Sequence, residues 1–227
     1  MLPPELRVLE EDVIGCERCK RLRRHCTEIG VIKRRAYRDQ TYWTKPVPSF
    51  GDPAARLLIL GLAPGAHGAN RTGRLFTGDR SGEWLYRALY ETGFASQPSS
   101  IARGDGLRLH DCWITASVRC APPDNKPEPV EFARCRPFLV RELGLMTKVR
   151  AVVCLGKLAF DTYLSILKEA GRIASRAAFR FEHCAVHDLQ PVLISSYHPS
   201  QQNTSTGKLT REMLREVFET ARRVIEP

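Results

Sequence analysis

Residues 57–60, Leu-Leu-Ile-Leu, are apolar at every position and run directly into Gly61-Leu62-Ala63-Pro64-Gly65-Ala66-His67-Gly68-Ala69-Asn70-Arg71-Thr72-Gly73-Arg74-Leu75-Phe76-Thr77-Gly78-Asp79. A strand without polar alternation must be covered on both faces, as in a parallel sheet between helices. A glycine-rich loop leaving such a strand brings backbone amides close to a ligand at the sheet's carboxyl edge. Its spacing matches neither the P-loop, which needs Gly-Lys-Ser/Thr, nor the dinucleotide fingerprint Gly-x-Gly-x-x-Gly. A second polar loop, Tyr197-His198-Pro199-Ser200-Gln201-Gln202-Asn203-Thr204-Ser205-Thr206-Gly207, leaves another apolar run at 192–196. Two such loops point to one site assembled from both, and that site reads as catalytic.

Strand and helix patterns alternate along the rest of the chain. Strands are expected at 56–61, 112–118, 150–155 and 192–196. Helices are expected at 81–92, stopped by Gly93 and capped by Asp79 or Ser81; at 128–143, with Pro137 starting a new segment or a kink; at 156–167; and at 210–224. The first fifty residues read as a short helix, a basic stretch and a Pro-rich aromatic wrap. The expected fold is therefore α/β, one domain over 1–227 with a central parallel sheet flanked by helices, and with 1–55 as an N-terminal wrapping segment.

The 227 residues carry a net charge of +10, which points toward a polyanionic partner. Lys20, Arg21, Arg23 and Arg24 form one basic cluster, and Lys33, Arg34, Arg35 and Arg38 form another. Arg71, Arg74, Lys208 and Arg211 add charge beside the two loops, and Arg71, Arg74, Ser200 and Lys208 are taken as the set that contacts the polyanion. No apolar run approaches the ~20 residues of a membrane span, and the N-terminus lacks the pattern of a signal peptide, so a cytoplasmic protein with no membrane partner is expected.

Eight cysteines in such a chain argue for metal ligation or burial rather than disulfides. Cys16 and Cys19 form a C-x2-C pair, and Cys120 and Cys135 follow much later. Four thiolates suit tetrahedral zinc or an iron–sulfur cluster, and spacing alone does not separate the two. Cys26, Cys112, Cys154 and Cys184 read as non-ligands.

In the glycine loop with Phe76-Thr-Gly-Asp79, in Val118-Arg-Cys-Ala-Pro-Pro-Asp-Asn125-Lys-Pro, and in Ser196-Tyr-His198 with Gln202-Asn203-Thr, the chain resembles the uracil-DNA glycosylase superfamily. The resemblance is closest to family 5, the iron–sulfur B-type enzymes, and the cysteine frame matches as well. It implies a four-stranded parallel sheet and a [4Fe-4S] cluster on Cys16, Cys19, Cys120 and Cys135. It further implies a monofunctional glycosylase, working as a monomer on double-stranded DNA, that removes deaminated bases and leaves abasic sites.

In that reading Phe76 stacks on a base flipped out of the duplex. Gly61, Ala63, Gly65 and Asn203 help bind it, although Asn203 equally supports the His198 loop. His198 donates a hydrogen bond to the charge that collects on the leaving base. Asn125 reads a base edge or orients water. Asp79 either stabilises the sugar or only caps the following helix. The chain departs from related enzymes at Ala63, where a water-activating Asp stands in the better-known glycosylases, and at Ala116, where family 4 has an Asn. Lost polar groups at both positions favour a broad pocket that accepts hypoxanthine and xanthine besides uracil. A strict family 4-type uracil enzyme and a non-catalytic iron–sulfur DNA-binding protein are the competing readings.

Overall fold

A computed structural model of the chain describes residues 2–226. Four strands are parallel neighbours: β2 (Leu57–Gly61), β3 (Cys112–Ala116), β4 (Ala151–Leu155) and β6 (Val192–Ser196). Their registers start together, with Leu57 opposite both Cys112 and Ala151, and Ala151 opposite Val192. Gly61, Ala116, Leu155 and Ser196 therefore finish along one edge, from which both polar loops depart.

The strands are apolar throughout because each face has its own helical cover. Leu58, Leu60, Val152 and Cys154 pack toward α1 (Pro4–Ile14), α5 (Pro129–Leu145) and α6 (Lys157–Glu169). Leu57, Ile59, Val153 and Ile194 pack toward α4 (Arg80–Glu91) and α8 (Arg211–Ile225). Fully burying one such side chain stabilises the fold by about 1.5–3 kcal/mol. Asp79 caps α4, accepting from the Gly82 amide at 2.9 Å. Thr210 does the same for α8 through Met213.

The sheet departs from expectation at its edges. It has six strands, ordered β1-β3-β2-β4-β6-β5, because β1 (Phe50–Gly51) and β5 (Val186–His187) add antiparallel to the parallel four. Two-residue strands are too short to show any periodicity. The N-terminal segment holds two helices instead of one, α1 and α2 (Lys20–Ile32), with Cys16 in the turn between them and Cys19 at the start of α2. Helix α5 continues as one element through Pro137, so the alternative of a new segment starting there does not hold. Among the described residues no helix is long and apolar enough to cross a membrane.

Candidate active site

The first loop folds back on itself, and its glycines make that possible. A Cβ on Gly61 would lie 2.8 Å from Phe76 Cζ, so the bare backbone at the end of β2 is the floor on which the Phe76 ring rests. A Cβ on Gly68 would overlap the Asp79 carboxylate. These two glycines give way to side chains of the loop's own far end. Phe76 sits at φ 53°, in the left-handed region that a bulky residue enters only when its surroundings hold it there. Gly82 leaves room for that backbone: a Cβ there would fall 1.8 Å from the Phe76 carbonyl oxygen.

Arg71 and Arg74, expected to reach DNA, are instead buried inside this loop, at 8% and 5% exposure. Arg71 donates to the His67 and Gly78 carbonyls and to Gln40 Oε1 at 2.6 Å, with its guanidinium 3.9 Å from the Tyr37 ring centre. Arg74 bonds Thr77, Ser100 and Asp105, the last at 2.7 Å. An irregular loop leaves backbone carbonyls without secondary-structure partners, and a guanidinium carries five donors to meet them. Asp105 is held down at about 2, its hydrogen bonds from Arg74 and from the Ile101 and Leu107 amides outweighing the opposing effect of burial.

The second loop leaves β6 and turns at Pro199 into α7 (Gln201–Ser205), capped by the Ser200 hydroxyl. Asn203 Nδ2 donates to the His198 carbonyl at 2.9 Å, so Asn203 supports this loop and lies outside the cleft. Lys208 stands 4.8 Å from the Tyr197 ring centre and is also outside the cleft. The His198 ring packs beside Gly156, where a Cβ would come within 3.2 Å of its own Cβ. Burial pushes the His198 pKa down to about 4, so the imidazole is neutral at physiological pH. Among the described residues no protein group hydrogen-bonds its ring nitrogens.

The two loops meet in one cleft of ≈ 600 Å³. Gly61, Ala63 and Gly65 form one wall, Phe76 and His198 face each other with ring centres 5.9 Å apart, and Asp79, Asn125 and Ser200 stand around them. Ala116 lies at the end of β3 in the same cleft. Asn125 is exposed at φ 57°, in a turn where Asp124 is also left-handed. Burial raises the Asp79 pKa against the opposing pull of the Gly82 amide and Arg71. The capping residue of α4 therefore also lines the cleft. Arg34 of the second basic cluster also lines it, as do Tyr37, His67 and Arg80, which the sequence had not marked as site residues. His67 was visible within the glycine loop. Its partner, the Tyr42 hydroxyl at 3.0 Å from Nδ1, lies in the distant wrap segment.

Cys16, Cys19, Cys120 and Cys135 line a second, narrow space of ≈ 10 Å³ between α2, α5 and the loop after β3. All are free thiols, and the last three are buried. The Arg119 amide donates to Cys135 Sγ at 3.2 Å. Burial pushes the Cys135 thiol up to about 11, whereas a thiol coordinating a metal is deprotonated outright. The frame is stiff: Arg21 grips buried Glu131 with two hydrogen bonds, joining α2 to α5. Arg119 pairs with buried Glu142 at 2.7 Å. Among the described residues no three His, Cys, Asp or Glu side chains converge tightly enough for a single metal ion. Cys26, expected to lack a partner, packs against Cys120 and the Ala121 carbonyl.

A family model described as the uracil DNA glycosylase superfamily matches residues 48–222. The chain belongs to that superfamily. It is 48% identical over 216 residues to a type-5 uracil-DNA glycosylase of Thermus thermophilus, covering 94% of this chain and 95% of that protein. It is 42% identical to a type-5 uracil-DNA glycosylase of Pyrobaculum aerophilum, over 92% of this chain and 88% of the other. A type-4 uracil-DNA glycosylase of the same organism is 29% identical, over 70% of this chain and 74% of that protein. The resemblance therefore holds at the level of the type-5 branch.

Proposed function

We propose that the chain is a monofunctional DNA glycosylase that removes uracil from DNA and leaves an abasic site. The observation that carries this is the neutral His198 ring, without a protein partner, facing Phe76 across a cleft built by both loops. A nucleotide flipped from the duplex enters that cleft and lays its ring on Phe76. As the N-glycosidic bond breaks, its electron pair goes to the base, and His198 donates a hydrogen bond to the base oxygen that takes up the charge. The sugar is left electron-poor, and water adds at its anomeric carbon. Asp79 supplies negative charge on the sugar side while holding α4, and Asn125 meets the base edge or positions the water. The abundance of type-5 names among relatives of high coverage supports the activity.

The reading extends to hypoxanthine and xanthine. Ala63 and Ala116 present methyl groups where a narrower enzyme presents polar ones. A site without a matched polar pair rejects analogues weakly, and small side chains leave room for a second ring.

Cys16, Cys19, Cys120 and Cys135 are the residues that would hold a [4Fe-4S] cluster, because these four thiols, from segments far apart in sequence, line one common space. When bound, such a cluster supplies cross-linking rather than a reaction step. It ties the turn between α1 and α2 to α5 and to the loop that carries Asn125.

Incubating the purified enzyme with duplexes carrying one deoxyuridine or one deoxyinosine, followed by alkali, tests the reading. Strand breaks at both lesions are expected, strongest where the lesion is mispaired. Tight binding without any break at uracil overturns the glycosylase reading, and breaks at uracil with intact inosine DNA overturn the broad pocket. Protein purified without oxygen should contain about four iron atoms per chain. Zinc in place of iron rejects the cluster.

A further inference from the structure

We infer that the corner joining α2 to the wrap segment, residues 31–38, is the lip that grips duplex DNA beside the flipped nucleotide. The inference rests on the proposed glycosylase function and moves the grip away from Arg71 and Arg74. The corner carries Lys33, Arg34, Arg35 and Arg38 with no acidic residue between Ile29 and Arg38. Among the described residues no carboxylate pairs with any of these four, whereas Arg21 and Arg23 of the neighbouring cluster are taken by Glu131 and Glu17. Unpaired cations gathered on one exposed turn suit a row of phosphates.

Three observations set the corner beside the site. Arg34 and Tyr37 line the same cleft as Phe76 and His198. The Arg71 guanidinium lies 3.9 Å from the Tyr37 ring centre and bonds Gln40, so the buried arginine fastens the corner to the catalytic loop. Helix α2 ends at Lys33, φ 52°, whose Nζ donates to the Arg38 carbonyl at 3.1 Å and closes the turn, leaving Arg34, Arg35 and Arg38 exposed beside Val31 and Ile32. Both are 76% exposed, the highest of the large apolar side chains among the described residues. Apolar tips flanked by arginines are the side chains that press between base steps and offset the loss of stacking when a base leaves. Positive charge on one side of a base pocket, beside an exposed apolar tip, commits the surface to duplex DNA.

The test removes three cations in Lys33→Gln/Arg35→Gln/Arg38→Gln. It compares them with Lys148→Gln/Lys168→Gln/Arg172→Gln, exposed positions by the opposite edge of the sheet with the same change in net charge. Duplex affinity is measured against salt, a readout that does not depend on excision and so stays separate from the glycosylase reading. The corner variant should bind at least about tenfold more weakly at low salt, with the log–log salt slope shallower by about 2 to 3. Equal losses in the two variants, or a corner variant with wild-type affinity and slope, overturn the inference. Val31→Ser/Ile32→Ser should slow uracil release from duplex several-fold more than from single strands, since only the duplex needs its stack replaced. An unchanged ratio removes the apolar tip from the contact.

Discussion

The two loops that build the cleft leave equivalent strand ends and are made in opposite ways. The first is locked by two buried arginines, Arg71 on the His67 and Gly78 carbonyls and Arg74 on Thr77, Ser100 and Asp105, and glycines let Asp79 and Phe76 fold onto its backbone. The second is shorter, is held by its own Asn203 and Ser200, and carries a ring with no protein partner among the described residues. One loop spends its polar groups on shape, and the other keeps its polar group free. A free, desolvated donor is what catalysis of bond cleavage requires, and a rigid opposing wall is what makes its position useful.

The contrast is broken most severely by Arg74→Ala. Removing one partner of a buried ion pair costs about 3–5 kcal/mol, because Asp105 is left among amides with no cation. Urea unfolding should show that loss, and a change under about 1 kcal/mol means that the loop does not depend on its internal arginines. The sign with pH follows from Asp105, whose pKa is depressed in the folded state to about 2. Its stabilisation is present above the ordinary carboxylate range of about 4 and is lost as pH falls toward 2. The gap between wild type and Arg74→Ala should narrow across that window.

His198→Ala acts on the other side of the comparison. Removing a transition-state donor typically lowers the rate about 10²–10³-fold. Single-turnover uracil release should fall by that amount with the urea midpoint little changed, since no protein hydrogen bond to the ring is lost. Near-wild-type chemistry in this variant rejects the role of His198.

The parallel strands and the two loops are legible in the sequence because runs such as 57–60 and 192–196 are apolar at consecutive positions and end in glycine or polar residues. His198 and Phe76 stand out because each interrupts its loop with a ring. Arg71 and Arg74 are misleading for a physical reason: charge in a sequence shows that a counter-group is needed, not whether DNA or a backbone carbonyl supplies it. Tyr37, Gln40 and Asp105, which settle the matter, come from segments with no periodic signal. His67 escaped notice for a similar reason, its Tyr42 partner lying twenty-five residues away. The edge strands β1 and β5 have no pattern to read, and the turn between α1 and α2 is visible only once both helices are known.

Asp79→Ala tests the junction between the two kinds of loop. Loss of an N-cap costs about 1 kcal/mol, here the bond from the Gly82 amide. Uracil release should also slow, but by less than in His198→Ala, because the carboxylate acts on the sugar side while His198 meets the charge on the leaving base. Asp79→Asn keeps a capping oxygen, so it should recover most of the stability and little of the rate. Full recovery of both assigns Asp79 to the helix alone.

The smallest expected effect is the most exacting. Burial holds the folded pKa of His198 near 4, below the ordinary value of about 6.5. The unfolded chain therefore takes up a proton on this ring before the folded one does, and the stability from burying a neutral imidazole is present above about pH 6.5 and declines as pH falls toward 4. The chemistry follows the folded value instead. A donor already neutral at pH 5.5 gains nothing from further alkali, so single-turnover rates at saturating enzyme should vary less than about twofold between pH 5.5 and 8.5. An acid limb centred near pH 6.5 in the wild type, absent from His198→Ala, means that the ring titrates as an ordinary imidazole and that its surroundings in the second loop do not hold it neutral.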